Sequence, residues 1–178
     1  MSADPPPHDL LELCTSTLEL LCDANSSHTT APLKTLFHSS RLPPISIRDY
    51  VARIAKYSKC SDVCLVIALV LMDRFLVAAG IPLSHYNVHR MCLTSVMVAT
   101  KCQDDVYYSN SYYASIGGIP TLEMNKLELT FMTMIQWRTW VQWPEYEEYL
   151  AKARRRLLGG SADHHGKEKD DVSQMHVV

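Results

Sequence analysis

The stretch DVCLVIALVLMDRFLVAAG, residues 62–80, decides the fold. From Val63 through Leu71 it is apolar nearly all round, and such a helix has to be covered on every side. Ser61 stands where an N-cap belongs, and Gly80 followed by Pro82 stands where a helix stops, so a helix is expected over about 62–79. The uncharged apolar run Val63 to Met72 falls well short of the roughly 18 residues that suggest a membrane span, so the cover must come from protein. A second apolar stretch, with Met91, Leu93, Val96, Met97, Val98 and Ala99, predicts a partner helix from Ser84 to about Gln103. The two together define the centre of an all-helical bundle.

Working outward, Pro43-Pro44 precedes Ser46, which can cap a helix from Ile47 to about Tyr57 carrying the stripe Tyr50, Val51, Ile54 and Ala55. A short helix fits 111–116, stopped by Gly117-Gly118. Pro120-Thr121 opens another over about 121–136, and Pro144 followed by Glu145, Glu147 and Glu148 opens the last. Upstream, Asp9 with Glu12 resembles a capping box for a helix over about 9–22, whose face carries Leu10, Leu13, Leu18 and Leu21. The expected organisation is an N-terminal helix and linker over 1–36, a helical box over 37–143, a C-terminal helix over 144–158 and a polar, disordered tail over 159–178.

Composition narrows the function. The chain has 178 residues, 47% apolar and 20% charged, which suits one packed domain. A net charge of -2 excludes a strongly basic polyanion binder. Six cysteines are too few for a disulfide scaffold, and Met-Ser-Ala-Asp-Pro lacks the basic and apolar regions of a signal peptide, so reduced thiols and an intracellular location, cytoplasm or nucleus, are expected. The sequon at Asn25 carries no weight without secretion.

The familiar nucleophile, phosphate-loop and dinucleotide motifs are missing. His85 and His89 lie four apart as metal ligands can, but roughly 22 Å of helix separate His89 from Asp104-Asp105. Cys60 and Cys64 have no second pair at zinc-finger spacing and read as buried hydrophobes. Arg154-Arg155-Arg156 suits the C-terminal end of a helix dipole, and Trp137, Trp140 and Trp143 read as anchors for the end of the bundle. No catalytic residue, cofactor, metal or small-molecule substrate is expected.

One pair resists a bland reading. Lys101 follows Met97 and Val98 on an apolar helix, and Glu128 lies between Met124, Leu127 and Phe131 on the apolar face of another. Charges beside core surface need partners. Either the two bridge each other, or they project from an apolar groove as one donor and one acceptor that clamp a partner's backbone.

Further motifs give these residues a context. Met72-Asp73-Arg74-Phe75-Leu76 resembles the "YxDRxL" end of the second helix of a cyclin box. His89-Arg90, then Ala99-Thr100-Lys101-Cys102-Gln103-Asp104-Asp105 and Tyr107-Tyr108-Ser109-Asn110, resemble the ordered motifs of the short P/U-type cyclins, a group associated with phosphate signalling. Tyr113-Ala114, Gly117-Gly118, Leu127-Glu128 and Trp137-Arg138 continue the run, so that the resemblance covers about 37–141. It implies a non-catalytic regulatory subunit that binds a cyclin-dependent kinase, with cell-cycle or nutrient output. The lysine and glutamate that grip the kinase C helix, the PSTAIRE helix, correspond to Lys101 and Glu128. Met97, Leu127 and Phe131 are the expected apolar contacts, with Asp104 or Asp105 toward the activation segment. A large apolar residue is often found where Cys102 and Gln103 stand, the chain has no room for a second box, and the "MRAIL" substrate-docking motif is missing. The alternatives are a cyclin-like nucleic-acid adaptor and an all-helical metal hydrolase. Nine basic and seven acidic residues between Ile45 and Trp143 are too mild a balance for the first. For the second, the only adjacent His-Asp pair is His8-Asp9, outside the bundle.

Overall fold

A computed structural model describes residues 7–26 and 35–159. Its helices are α1 (Pro7–Asn25), α2 (Ile47–Ser58), α3 (Asp62–Ala79), α4 (Val88–Gln103), α5 (Asn110–Gly117), α6 (Thr121–Met134) and α7 (Trp143–Gly159), with no strand among the described residues. The fold is all-α, as expected. α3 and α4 pack against each other at the centre, and α1, α2, α6 and α7 cover them. Cys64 through Met72 on α3 and Met91 through Thr100 on α4 are buried without interruption.

Most boundaries follow local chemistry. Ser46 caps α2 by accepting from the Asp49 amide at 3.0 Å. Gly80 (φ +63°) closes α3 and Gly118 (φ +68°) closes α5 in left-handed conformations that a side chain would strain. Three expectations need correction. α1 begins at Pro7, ahead of the expected cap at Asp9, whose side chain lies outside the described ones. α4 begins at Val88 and not Ser84, because the buried Asn87 side chain accepts from the Ser84 amide and donates to the Pro82 carbonyl, forming a turn first. α6 stops at Met134, where Gln136 and Trp137 turn the chain with positive φ. The linker expected over 25–31 starts too early, since Asn25 belongs to α1, and the tail expected from Gly159 likewise, since Gly159 ends α7; the rest of both, 27–31 and 160–178, lies outside the described residues.

α1 shares the main core. Leu10, Leu13, Leu18 and Leu21 are all buried, and the helix packs on α2, α3 and α7. Phe37, from the segment before α2, inserts between helices: its ring lies 4.6 Å from Phe75, which stacks on Phe131 at 5.2 Å. The Trp residues are not the anchors expected of them. Trp137, Trp140 and Trp143 are 63%, 73% and 61% exposed. The strap that carries the first two is held by its backbone, since the Arg74 guanidinium donates to the carbonyls of Arg138 (2.6 Å) and Trp140 (3.0 Å) and pairs with Glu145 of α7 at 2.8 Å. Asp73 beside it accepts from the Tyr149 hydroxyl of α7. The Asp-Arg dipeptide of α3 thus fastens the strap and the last helix.

α5 fits tightly against the bundle at Gly117, where a methyl group would stand 2.2 Å from Leu93 Cδ2 and 3.1 Å from the Tyr50 hydroxyl, which donates to the Gly117 carbonyl. Because Leu93 is fully buried, it has nowhere to go. Gly117→Ala is expected to destabilise the protein by about 1–3 kcal/mol through overpacking, read as a lower urea midpoint at unchanged slope.

Candidate functional site

The last turn of α4, the first turn of α5 and the middle of α6 meet at one rim of the bundle. Thr100 accepts the Asp104 amide to end α4, and after a short loop the Ser109 hydroxyl accepts the Tyr112 amide to start α5. These two stops bring Lys101 and Asn110 to the side of α6 that carries Glu128. Lys101 Nζ lies 2.6 Å from Glu128 Oε1 and also donates to Asn110 Oδ1. The Asn110 amide donates to Glu128 Oε2 at 2.6 Å and to Asn125 Oδ1 at 2.8 Å. The side chains of Lys101 and Glu128 each keep 24% of their surface exposed. The two charges are therefore bridged to each other, the first of the two outcomes left open by spacing, and each keeps part of its side chain open to solvent.

The apolar contacts expected at this site are corrected by burial. Met97, Leu127 and Phe131 have no exposed surface. They brace α4 and α6 from beneath, with Phe131 closed against Phe75 and Phe37, because the face of α6 that carries Glu128 at its edge is the face that packs on the bundle. The exposed large apolar side chains of these elements are instead Leu122 and Leu129 on α6 and Val106 and Tyr107 in the loop after α4. None of these, and neither asparagine, was singled out from the sequence. Asn110 stood within the matched motif run, but its side-chain partners depend on three helices meeting.

Asp104 and Asp105 separate in role. Asp104 Oδ2 accepts from the Ser61 amide at 3.0 Å and Oδ1 from the Ser61 hydroxyl at 2.7 Å. Ser61 therefore occupies the N-cap position of α3 without capping it through its own side chain, and the carboxylate of Asp104 sits at that positive helix end instead. Asp105 is exposed. A second ion pair, Arg90 with Glu123 at 2.8 Å, joins the N-terminal turns of α4 and α6.

The other candidates do not converge. His89 Nε2 sits 3.0 Å from the Ile45 carbonyl, and His85 pairs with Asp23. Burial pushes the His89 pKa down, so the ring is neutral at pH 7 and donates to that carbonyl. Both line a groove of about 520 Å³ whose carboxylates are engaged, Glu19 by Arg48 and Asp23 by His85. Among the described residues no group of three or more His, Cys, Asp or Glu is gathered as a metal site. Burial raises the thiols of Cys14, Cys22 and Cys64 to about 12 and that of Cys92 further, which keeps them protonated and unreactive, while Cys102 is exposed. No described helix is long and apolar enough to cross a membrane.

A helical box built on two buried central helices, with a further helix at each end, is the architecture of a cyclin. The family model described as Cyclin matches residues 13–139, and the chain belongs to the cyclin family. The matched span takes in most of α1 as well as the box. Its relatives are U- and P-type cyclins. It is 44% identical over 128 residues to Cyclin-U4-1 of Arabidopsis thaliana, covering 69% of this chain and 63% of that protein. It is 38% identical over 140 residues to Cyclin-P3-1 of Oryza sativa subsp. japonica, covering 79% and 58%. Cyclin-U4-3 of Arabidopsis thaliana is 36% identical over 141 residues, covering 79% and 64%. The chain spans about six-tenths of the length of these relatives.

The two aspartates make a sharp comparison. Asp104→Ala removes two hydrogen bonds at the start of the central helix and is expected to cost about 1–2 kcal/mol, whereas Asp105→Ala stays within about 0.5 kcal/mol, both measured by urea unfolding.

Proposed function

We propose that this chain is the non-catalytic regulatory subunit of a cyclin-dependent kinase and engages the kinase through its C helix. The observation that carries the reading is the partly exposed Lys101–Glu128 pair at the junction of α4 and α6. An ammonium donates to a partner's backbone carbonyls and a carboxylate accepts from its amides, so the pair reads a helix terminus or an irregular turn at two points. Leu129, next to Glu128 in the chain, and Val106 and Tyr107 of the loop that follows α4 are the exposed apolar side chains this reading offers the partner, with Met97, Leu127 and Phe131 buried. Asp105 rather than Asp104 is the carboxylate offered to the basic activation segment, since Asp104 is committed to Ser61.

Binding that favours the inward position of the C helix shifts the kinase toward its active state, in which its own lysine–glutamate ion pair is made and phosphoryl transfer proceeds. The chain then contributes no reacting group. The output is a cell-cycle or nutrient signal in the cytoplasm or nucleus, with neither nucleic acid nor membrane as partner. The mild charge balance of the box supports a protein surface as the target.

Affinity capture from the native cell is expected to recover a cyclin-dependent kinase at one-to-one stoichiometry; repeated recovery without one overturns the reading. Glu128→Ala is expected to weaken kinase binding about a hundredfold, in the range measured for removing one partner of a charge pair at an interface. Melting should move by no more than about 4 °C, because a partly exposed ion pair contributes about 0–1 kcal/mol to folding. A large fall in melting temperature with binding unchanged would make the pair purely structural.

A further inference from the structure

We propose that Asn110 is the positioning residue of the kinase-binding pair, presetting Lys101 and Glu128 in the geometry that a partner backbone meets. The inference rests on the functional reading above and adds a third side chain to it. The amide of Asn110 is used in full. Its oxygen accepts from Lys101 Nζ, and its nitrogen donates one hydrogen to Glu128 Oε2 at 2.6 Å and the other to Asn125 Oδ1 at 2.8 Å. The orientation of the amide is fixed by charge. Turned over, it would aim N–H at an ammonium and oxygen at a carboxylate, which is unfavourable at both ends.

The placement prevents a particular collapse. A lysine and a glutamate left alone in a half-buried site optimise their own contact, the ammonium lying across both carboxylate oxygens. Here Lys101 hydrogen-bonds Glu128 through Oε1, while Oε2 accepts from Asn110. The ammonium divides two of its three hydrogens between Glu128 and Asn110, leaving the third for an incoming carbonyl. Each carboxylate oxygen likewise keeps accepting capacity for an incoming amide. The partner therefore adds hydrogen bonds to a preformed arrangement, and less side-chain freedom is lost on docking.

Asn110 can do this because it is anchored by its backbone rather than by its side chain. It is the first residue of α5, set in place by the Ser109 cap before it and by the left-handed stop at Gly118 eight residues later. Asn125, one turn before Glu128 on α6, steadies the outer hydrogen of the amide. Four side chains from three helices thus form one network, in which the asparagine is the only member that touches all the others.

The test is a double-mutant cycle read by surface plasmon resonance, with the full chain and a recombinant cyclin-dependent kinase carrying a PSTAIRE-type C helix. Asn110→Ala is expected to weaken binding about tenfold, or about 1.4 kcal/mol, with the melting temperature nearly unchanged. In the Glu128→Ala background the same substitution should change affinity less than twofold, because the group it positions is gone. A merely structural asparagine would lower affinity equally in both backgrounds, and that additivity overturns the inference. So does wild-type affinity in Asn110→Ala alongside a large loss in Glu128→Ala, which leaves the functional reading standing. Should Asn110→Ala lose fold, Asn125→Ala takes its place, with a two- to threefold loss expected in the wild-type background and none in Glu128→Ala. A wild-type chain that binds no such kinase overturns the reading itself.

Discussion

Everything in this molecule depends on covering α3. A helix apolar around its whole circumference cannot lie at a surface, and α4 alone covers one side of it. The remaining sides are closed by α1, α6 and α7, while α2 and α5 close α4. Even the segment before α2 takes part, since Phe37 completes the aromatic stack with Phe75 and Phe131. The demand is large because close-packed interiors tolerate few voids. It explains why the bundle draws in α1, which the spacing of its leucines fitted to burial but whose partner no periodicity could name.

With apolar side chains consumed in the interior, the elements are located at the ends of the central helices by polar contacts. Asp104 at the end of α4 binds Ser61 at the start of α3, and Asp73 and Arg74 near the end of α3 bind Tyr149, Glu145 and the strap after α6. Arg90 and Lys101 attach α4 to α6 at two places, through Glu123 and Glu128. These contacts sit where the core meets solvent, so they lose less hydration than fully buried pairs while still selecting one packing. Of the two pairs on α6, the one at Glu128 also takes in the side-chain amide of Asn110.

How much could be read in advance follows from the range of each signal. The two central helices, the Ser46 cap and the glycine stops at Gly80 and Gly118 are local, and their residues alone specified them. Lys101 and Glu128 were recognisable as a pair because each charge broke an apolar stripe. The start of α4 was not, since Asn87 acts through a carbonyl and an amide of a turn that composition does not reveal. Met97, Leu127 and Phe131 were placed on the right elements but at the wrong depth: a helix pattern gives the apolar face without saying whether a groove opens there. The tryptophans misled for the opposite reason. Large apolar residues usually anchor, but residues 137–142 follow a chain reversal at Gln136 and Trp137, and the backbone took the anchoring role through Arg74. Side-chain identity does not record such an exchange.

In the kinase-binding role proposed for it, the rim owes its specificity to a balance of forces. The box carries little net charge, so long-range attraction does little to sort partners, and discrimination falls to contacts made within hydrogen-bond distance. A lone surface ion pair is poorly suited to that task, because its members move and are screened. A fully buried pair is equally unsuitable, since a partner cannot reach it. Lys101 and Glu128 lie between these limits: buried enough to be held in one arrangement by Asn110, and open enough that each retains a direction toward solvent. A partner whose backbone offers a carbonyl and an amide at the matching separation gains both bonds without displacing any. One that offers a charged side chain instead must disrupt the network first, and the cost of leaving one of these charges unpaired in a half-buried site makes that exchange unfavourable.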